Sequence, residues 1–278
     1  MYQDLVVPLT GTPGDAAAID AALDLARAAG ARVTVLQMLD LPMPTGNPWG
    51  VMPDIALGDF YSRQRAQAEV DLERRRSQLA GSGVECEVRL VEALFSAPPR
   101  QAARVAHAAD LVVLAGPADG GAGGSVAHDF AAALLLESGR PVLVVPPGAR
   151  APSPGSGVLV GWRQGAEAAR AVHDALPLLR AASRVEVLAI DPPPGQDDAL
   201  DLAELATHLA RHGVRVEPVV RGSQGRAVAD ILVEHARAMP ASLIVAGGYG
   251  HSRLREWVMG GATRELLLTS PLPVLFSH

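Results

Sequence analysis

The chain contains no lysine: all 24 basic residues are arginine, 12 in residues 1–150 and 12 in 151–278, against 30 Asp and Glu. Without an ε-amino group there is no Schiff-base chemistry, no lysine general base and no Walker A loop. The single cysteine, Cys86, has no partner for an intramolecular disulfide and excludes a cysteine-built zinc site. Flanked by Glu85 and Glu87 in an alternating run, it reads as a buried strand thiol. Aromatics make up only 4% of residues, and the net charge of −6 comes with no basic stripe interleaved with them, so no nucleic-acid partner is expected. No apolar run approaches the roughly 18 residues of a membrane span. Met1-Tyr2-Gln3-Asp4 lacks the basic and long apolar regions of a secretory signal. The expectation is a soluble, cytoplasmic chain with no membrane partner.

What is present points to a globular protein of two domains. Hydrophobic residues are 49% of the 278, and the 28 Gly and 22 Pro follow no fixed period. A domain typically takes about 100 to 150 residues. Residues Ala109-Asp110-Leu111-Val112-Val113-Leu114-Ala115-Gly116 align with Ala241-Ser242-Leu243-Ile244-Val245-Ala246-Gly247-Gly248 at an offset of 132, and Pro141-Val142-Leu143-Val144 with Pro273-Val274-Leu275-Phe276 at the same offset. Val33-Thr34-Val35-Leu36 matches Val185-Glu186-Val187-Leu188 at 152, and Leu5-Val6-Val7-Pro8 matches Val158-Leu159-Val160-Gly161 at 153. The chain therefore reads as a tandem duplication. The offset falls to 130 at Gly83 and Gly213, which places about 22 extra residues, the Pro/Gly-rich 41–61, in a surface loop of the first half. The Pro/Gly-dense 148–155 can continue neither a helix nor a central strand, so the expected domains are 1–147 and 156–278 with that segment as linker.

Within each half, β-branched apolar runs alternate with longer Ala/Leu/Arg segments of helical period. Runs such as Leu111-Val112-Val113-Leu114-Ala115 are apolar on both faces, as strands of a parallel sheet covered on both sides are. The order predicted is five strands alternating with four helices, twice: two tandem doubly wound α/β domains. Thr12-Pro13-Gly14-Asp15 predicts an N-cap, a proline at the first helical position and a carboxylate in the first turn. Residues 167–182 read as a helix that Pro177 kinks or interrupts. Val70, Leu72 and Leu79, among Arg74, Arg75 and Arg76, read as a core face beside a solvated one. The apolar closing strands of the two halves, Pro141-Val142-Leu143-Val144-Val145 and Pro273-Val274-Leu275-Phe276, are expected to pair antiparallel, which would bury two sticky edges.

Ligands of such sheets bind beyond the carboxyl ends of the strands, where strand order reverses. After the fourth strand of the second half the chain reads Gly247-Gly248-Tyr249-Gly250-His251-Ser252-Arg253-Leu254-Arg255-Glu256-Trp257-Val258-Met259-Gly260-Gly261-Ala262-Thr263. Gly247 and Gly250 permit a tight turn, while Gly260 and Gly261 open a helix whose unpaired N–H groups and dipole suit a phosphate. Turn formation alone would also account for four glycines. The Gly-x-x-Gly-x9-Gly spacing, with Ala-Ser-Leu-Ile-Val-Ala-Gly-Gly-Tyr-Gly-His-Ser-Arg before it and Ser-Pro-Leu-Pro-Val-Leu after it, resembles the universal stress protein family over essentially the whole chain. The resemblance implies two adenine nucleotide alpha hydrolase-like domains related by a pseudo-two-fold axis, an intramolecular pseudo-dimer, room for a homodimer and, in the family's nucleotide-binding members, bound ATP or another adenine nucleotide. By it, Ala246, Gly247, Gly250, Gly260, Gly261, Ala262 and Thr263 occupy nucleotide-contacting positions, with Ala189 and Ile190 near the base.

Two departures stand out. Gly261 replaces the hydroxyl residue that follows the family's third glycine, leaving backbone N–H groups and Thr263 as donors. Arg163, in Gly161-Trp162-Arg163, replaces the aspartate that ends the first strand in nucleotide binders. An arginine only donates, so ordinary ribose recognition is lost and bidentate pairing with a phosphate becomes available. In the first half Ala115, Ala118, His128 and Asp129 stand at the positions of Gly247, Gly250, Gly260 and Gly261, and Thr10 replaces the strand-end aspartate. No nucleotide is expected there; Asp129 at a helix start would repel one, and Gly120-Gly121-Ala122-Gly123-Gly124-Ser125 reads as a flexible loop.

Other constellations are weaker. His208 and His212 lie four apart, but no third metal ligand can be placed from sequence, so a solvated helix end is expected and no metal. Ser125, His128 and Asp129 lack a Gly-x-Ser-x-Gly elbow, and no catalytic residue is assigned. Three functions stay open: a stress-response protein binding adenine nucleotide in its second half and acting through conformation or partners; a non-nucleotide stress-response interaction module; and an ATP-using enzyme of related fold. Against the last stand the missing Ser-Gly-Gly-x-Asp-Ser and His-Ile-Gly-His runs and the missing lysine.

Overall fold

The computed structural model describes residues 1–41, 54–117, 122–191, 198–249 and 261–278. The first half runs β1 (Asp4–Pro8), α1 (Asp15–Ala29), β2 (Arg32–Leu41), α2 (Asp54–Leu79), β3 (Cys86–Leu94), α3 (Pro98–Ala106), β4 (Leu111–Ala115), α4 (Ala122–Glu137) and β5 (Val142–Val145). The second runs β6 (Gly157–Trp162), α5 (Ala166–Asp174), α6 (Leu176–Ala181), β7 (Arg184–Ile190), α7 (Asp198–Arg211), β8 (Val216–Arg221), α8 (Val228–Ala238), β9 (Ala241–Gly247), α9 (Gly261–Thr269) and β10 (Val274–Ser277). All ten strands join one sheet in the order β3-β2-β1-β4-β5-β10-β9-β6-β7-β8.

Pairing is parallel within each half, and the halves meet antiparallel at the expected strands, with Val144 opposite Val274, Leu143 opposite Leu275 and Val142 opposite Phe276. The expected intramolecular pseudo-dimer is therefore present. Its seam is fully buried: Leu143 and Leu275 have no exposed surface and Phe276 has 1%. Each such side chain contributes about 1.5–3 kcal/mol by leaving water, so the junction is core rather than a loose domain contact.

The two-residue period of the strands sorts the core into two layers. Leu5, Val33, Leu111, Val158 and Leu243 pack with α1, α2, α5, α6 and α7 on one face. Val6, Leu36, Val112, Leu159 and Ile244 pack with α3, α4, α8 and α9 on the other. Both clusters cross the seam, through Leu143 and Leu275 on one side and Val144 and Phe276 on the other.

Several local expectations are corrected. α1 begins at Asp15 behind Gly14, with no side-chain cap from Thr12, because Asp15 itself reaches back to the preceding loop. The 41–61 segment is not wholly a loop: Leu41 ends β2, and α2 has 26 residues against 14 in α7. Ala68, Leu72 and Leu79 are buried, but Val70 is 55% exposed, since two residues turn a helix by about 200° and put it on the opposite side. Cys86 is only half-buried, at the first position of β3 beside the Ser82 hydroxyl. Gly123, Gly124 and Ser125 are helical, inside α4, rather than loop. Pro177 acts as anticipated, starting α6 after a break at Ala175. No helix among the described residues is long and apolar enough to cross a membrane.

Candidate functional site

Strand order reverses between β1 and β4 in the first half and between β6 and β9 in the second. At the second of these edges, Gly161 pairs with Ala246 and Trp162 with Ala189. Arg163, Ile190 and Gly247 therefore emerge side by side where β6, β7 and β9 end. Arg163 is exposed and has no hydrogen-bond or ion-pair partner among the described residues. Ile190 is half-buried against the α8 layer, and Ala246 is buried.

Gly247 has a packing requirement of its own. A Cβ there would stand 2.7 Å from the Ala168 amide nitrogen and 2.9 Å from the Glu167 carbonyl carbon, because the first turn of α5 lies on the end of β9. Gly261 opens α9 and is exposed, and a Cβ on it would meet nothing within 4 Å among the described residues. Ala262 is half-buried and Thr263 buried in the same first turn. Gly250 and Gly260, with His251 and Ser252, lie outside the described residues.

Two polar groups border this edge that the sequence alone did not single out. Asp191, directly after β7, holds a left-handed backbone (φ 43°), and its Oδ1 accepts the Ser223 amide at 2.8 Å. Bonds from the Ser223 hydroxyl and amide hold its carboxyl below the usual carboxylate range. The signal available in sequence was an acid at a strand end followed by Pro192. Tyr249, also left-handed (φ 59°), stacks edge-on against the His278 ring at 6.0 Å. Its hydroxyl is buried with no hydrogen-bond partner among the described residues, and burial pushes the phenol up to about 12.

At the first-half edge Asp15 accepts the Thr10 amide (2.9 Å), the Thr10 hydroxyl (2.7 Å) and the Gly11 amide (2.9 Å), so these donors at the end of β1 are already taken. Asp129 is not at a helix start as expected: α4 begins seven residues earlier, at Ala122. His128 Nδ1 lies 3.6 Å from the Asp129 carboxylate. Ala115 ends β4, and Ala118 lies outside the described residues.

At the opposite, amino edge of the sheet, His208 and His212 are not simply solvated. Both are half-buried, and His173 from the end of α5 joins them, its Nε2 3.2 Å from that of His208. Sequence reasoning missed His173 because it lies 35 residues before His208 and only the α5–α7 packing brings it near. Among the described residues, no group of three or more His, Cys, Asp or Glu is arranged as it stands to hold a metal ion.

The comparisons with known proteins agree with this architecture. The model of the universal stress protein family matches residues 1–146 and again 153–278. A universal stress protein from Archaeoglobus fulgidus DSM 4304 superposes with a TM-score of 0.76 at 14% identity, covering 99% of this chain and 97% of that one. A functionally unknown protein from Pseudomonas aeruginosa PAO1 gives 0.57 at 15% identity, covering 99% and 92%. A universal stress protein solved in complex with cAMP gives 0.37 at 23% identity, covering 52% of this chain and 97% of that one. No curated protein matches significantly. With the family model matching both halves, and their five-stranded sheets joined at one antiparallel seam, the chain is a tandem, two-domain member of the universal stress protein family.

Proposed function

We propose that the second half binds ATP or another adenine nucleotide at the carboxyl edge between β6 and β9, that the first half does not, and that the protein serves a cytoplasmic stress response through conformation or partners, without catalysis. The observation that carries this reading is the contrast between two equivalent edges. In the second half β9 ends in Gly247 and α9 opens on an exposed Gly261. In the first, Asp15 fills the Thr10 and Gly11 amides, and Asp129, which matches Gly261, lies inside helix α4 rather than at its start. The phosphates would rest on backbone N–H groups at Gly250, Gly260, Gly261, Ala262 and Thr263, the interaction a helix N-terminus offers an anion. Ala246 and Gly247 would line the seat and Ile190 the base. Arg163 is free to pair with a phosphate, and Asp191 supplies an acceptor that Arg163 cannot. The boundaries 1–147 and 156–278 belong to the same proposal.

Arg163 also favours a second reading, a non-nucleotide interaction module, because it removes an acceptor a ribose would use. Mass spectrometry of small molecules released from the purified, denatured protein separates the two. Adenine nucleotide near one equivalent per chain supports binding. Its absence, together with no uptake of added ATP, supports the interaction module.

A further inference from the structure

We propose that His173, His208 and His212 form a site for a late first-row divalent cation, Zn²⁺ being the probe of choice, between the C-terminal ends of α5 and α7. Their ring centroids form a triangle with sides of 5.1, 6.0 and 4.7 Å. Three imidazoles on one tetrahedral zinc, with Zn–N about 2.0–2.1 Å, place their nitrogens roughly 3.3 Å and their centroids roughly 5 Å apart. The His173 and His208 Nε2 atoms already stand 3.2 Å apart. That contact needs one nitrogen to donate and the other to accept, so at least one ring presents a lone pair, and a metal can replace the shared proton.

The third ring, His212, must turn to complete the set. Its Nδ1 faces Arg180 Nη2 at 3.5 Å, while Arg180 Nε donates to the His212 carbonyl. The proposal therefore requires that the His212 side chain rotate to bring a nitrogen toward the other two. An all-imidazole donor set selects zinc, nickel or copper over calcium and magnesium, which require oxygen. Arg180 and Arg211 oppose a cation, so the site is weaker than a closed Cys/His site. The first half has Asp20, Gln78 and Ser82 at the matching positions, so the cluster belongs to the second half alone. Because α5 and α7 run back across the sheet from its carboxyl edge, the cluster is separate from the proposed nucleotide edge.

The test is equilibrium dialysis of the untagged, metal-stripped full chain against Zn²⁺, with metal quantified by mass spectrometry. One equivalent is expected. His208→Ala, His173→Ala and His212→Ala should each weaken binding about tenfold or more, the scale on which even outer-shell changes act, and His107→Ala should change nothing. Alanine suits helix positions, so the variants should keep the wild-type far-ultraviolet spectrum. Failure of the wild-type chain to take up zinc, or unchanged uptake in His208→Ala, overturns the site. Loss in His208→Ala and His212→Ala with none in His173→Ala also overturns it, leaving only a two-ligand pair.

Discussion

Gly247 lies so close to the first turn of α5 that a Cβ would stand 2.7 Å from the amide nitrogen of Ala168. The first half makes the same approach from the other side: a Cβ on Gly14, in the loop before α1, would stand 2.8 Å from the Gly116 carbonyl and 3.2 Å from the Ala115 Cβ. Gly14 matches Glu167 and Ala115 matches Gly247 in the repeat. The helix-to-strand contact is therefore kept in both halves, while the bare backbone has moved from the helix side to the strand.

Gly247→Ala should destabilise the protein by about 1–3 kcal/mol, the usual scale of overpacking, because backbone rather than a flexible side chain must give way. Gly248→Ala, whose nearest contact would be 3.4 Å away, should stay within about 0.5 kcal/mol of wild type. Urea unfolding of the two variants checks the contrast.

Asp15→Ala should cost about 1–3 kcal/mol, since a carboxylate that accepts three hydrogen bonds at the end of β1 is lost and two backbone amides lose their partner. Equal stability of this variant and wild type in urea would show that the loop does not depend on Asp15.

Glu186 and His235 form a buried pair between β7 and α8, with Arg184 on the other carboxylate oxygen at 2.9 Å. Removing one partner of such a pair costs about 3–5 kcal/mol, and replacing both by apolar residues is often neutral. Glu186→Ala should therefore lower the unfolding midpoint far more than the Glu186→Leu/His235→Leu double variant. Thr34 stands at the matching position of the first half, so the fold itself does not demand the carboxylate.

Stability should fall steeply in alkali. The Tyr2 hydroxyl donates to the Asp174 carbonyl across the two halves at 2.6 Å, and burial, then the nearby Asp174 and Asp110, raise its titration well above the ordinary phenol value. The unfolded phenol loses its proton from about pH 10 while the folded one keeps it, so stability present below that pH is lost as pH rises beyond it. Tyr2→Phe should cost about 1 kcal/mol at neutral pH and flatten the alkaline fall. Thermal melts between about pH 8 and 11 read both effects.

The architecture was legible because it rests on periodicity and repetition. Val158, Leu159 and Val160 announce a strand buried on both faces, and a constant offset of 132 links the two closing strands, whose apolar edges cover one another. Departures arose where tertiary context overrode local signal. α1 starts with no side-chain cap while Asp15 bonds back to the Thr10 and Gly11 loop, and α4 extends through Gly123 and Gly124 despite their weak helix propensity. At the candidate sites, the motif marked Gly247 and Gly261, but the proximity of α5 to Gly247 and the meeting of His173 with His208 depend on helix packing that no local pattern records.

Calorimetric titration of ATP into the full-length protein tests the central proposal most directly, with Gly261→Val as the companion variant. A Cβ at Gly261 meets nothing within 4 Å among the described residues, so the variant should fold, yet its side chain would stand where the phosphates must approach bare backbone. The account predicts one nucleotide per wild-type chain and at least about a tenfold loss in Gly261→Val, equivalent to 1.4 kcal/mol. No heat at millimolar ATP, or identical titrations for the two proteins, would contradict it.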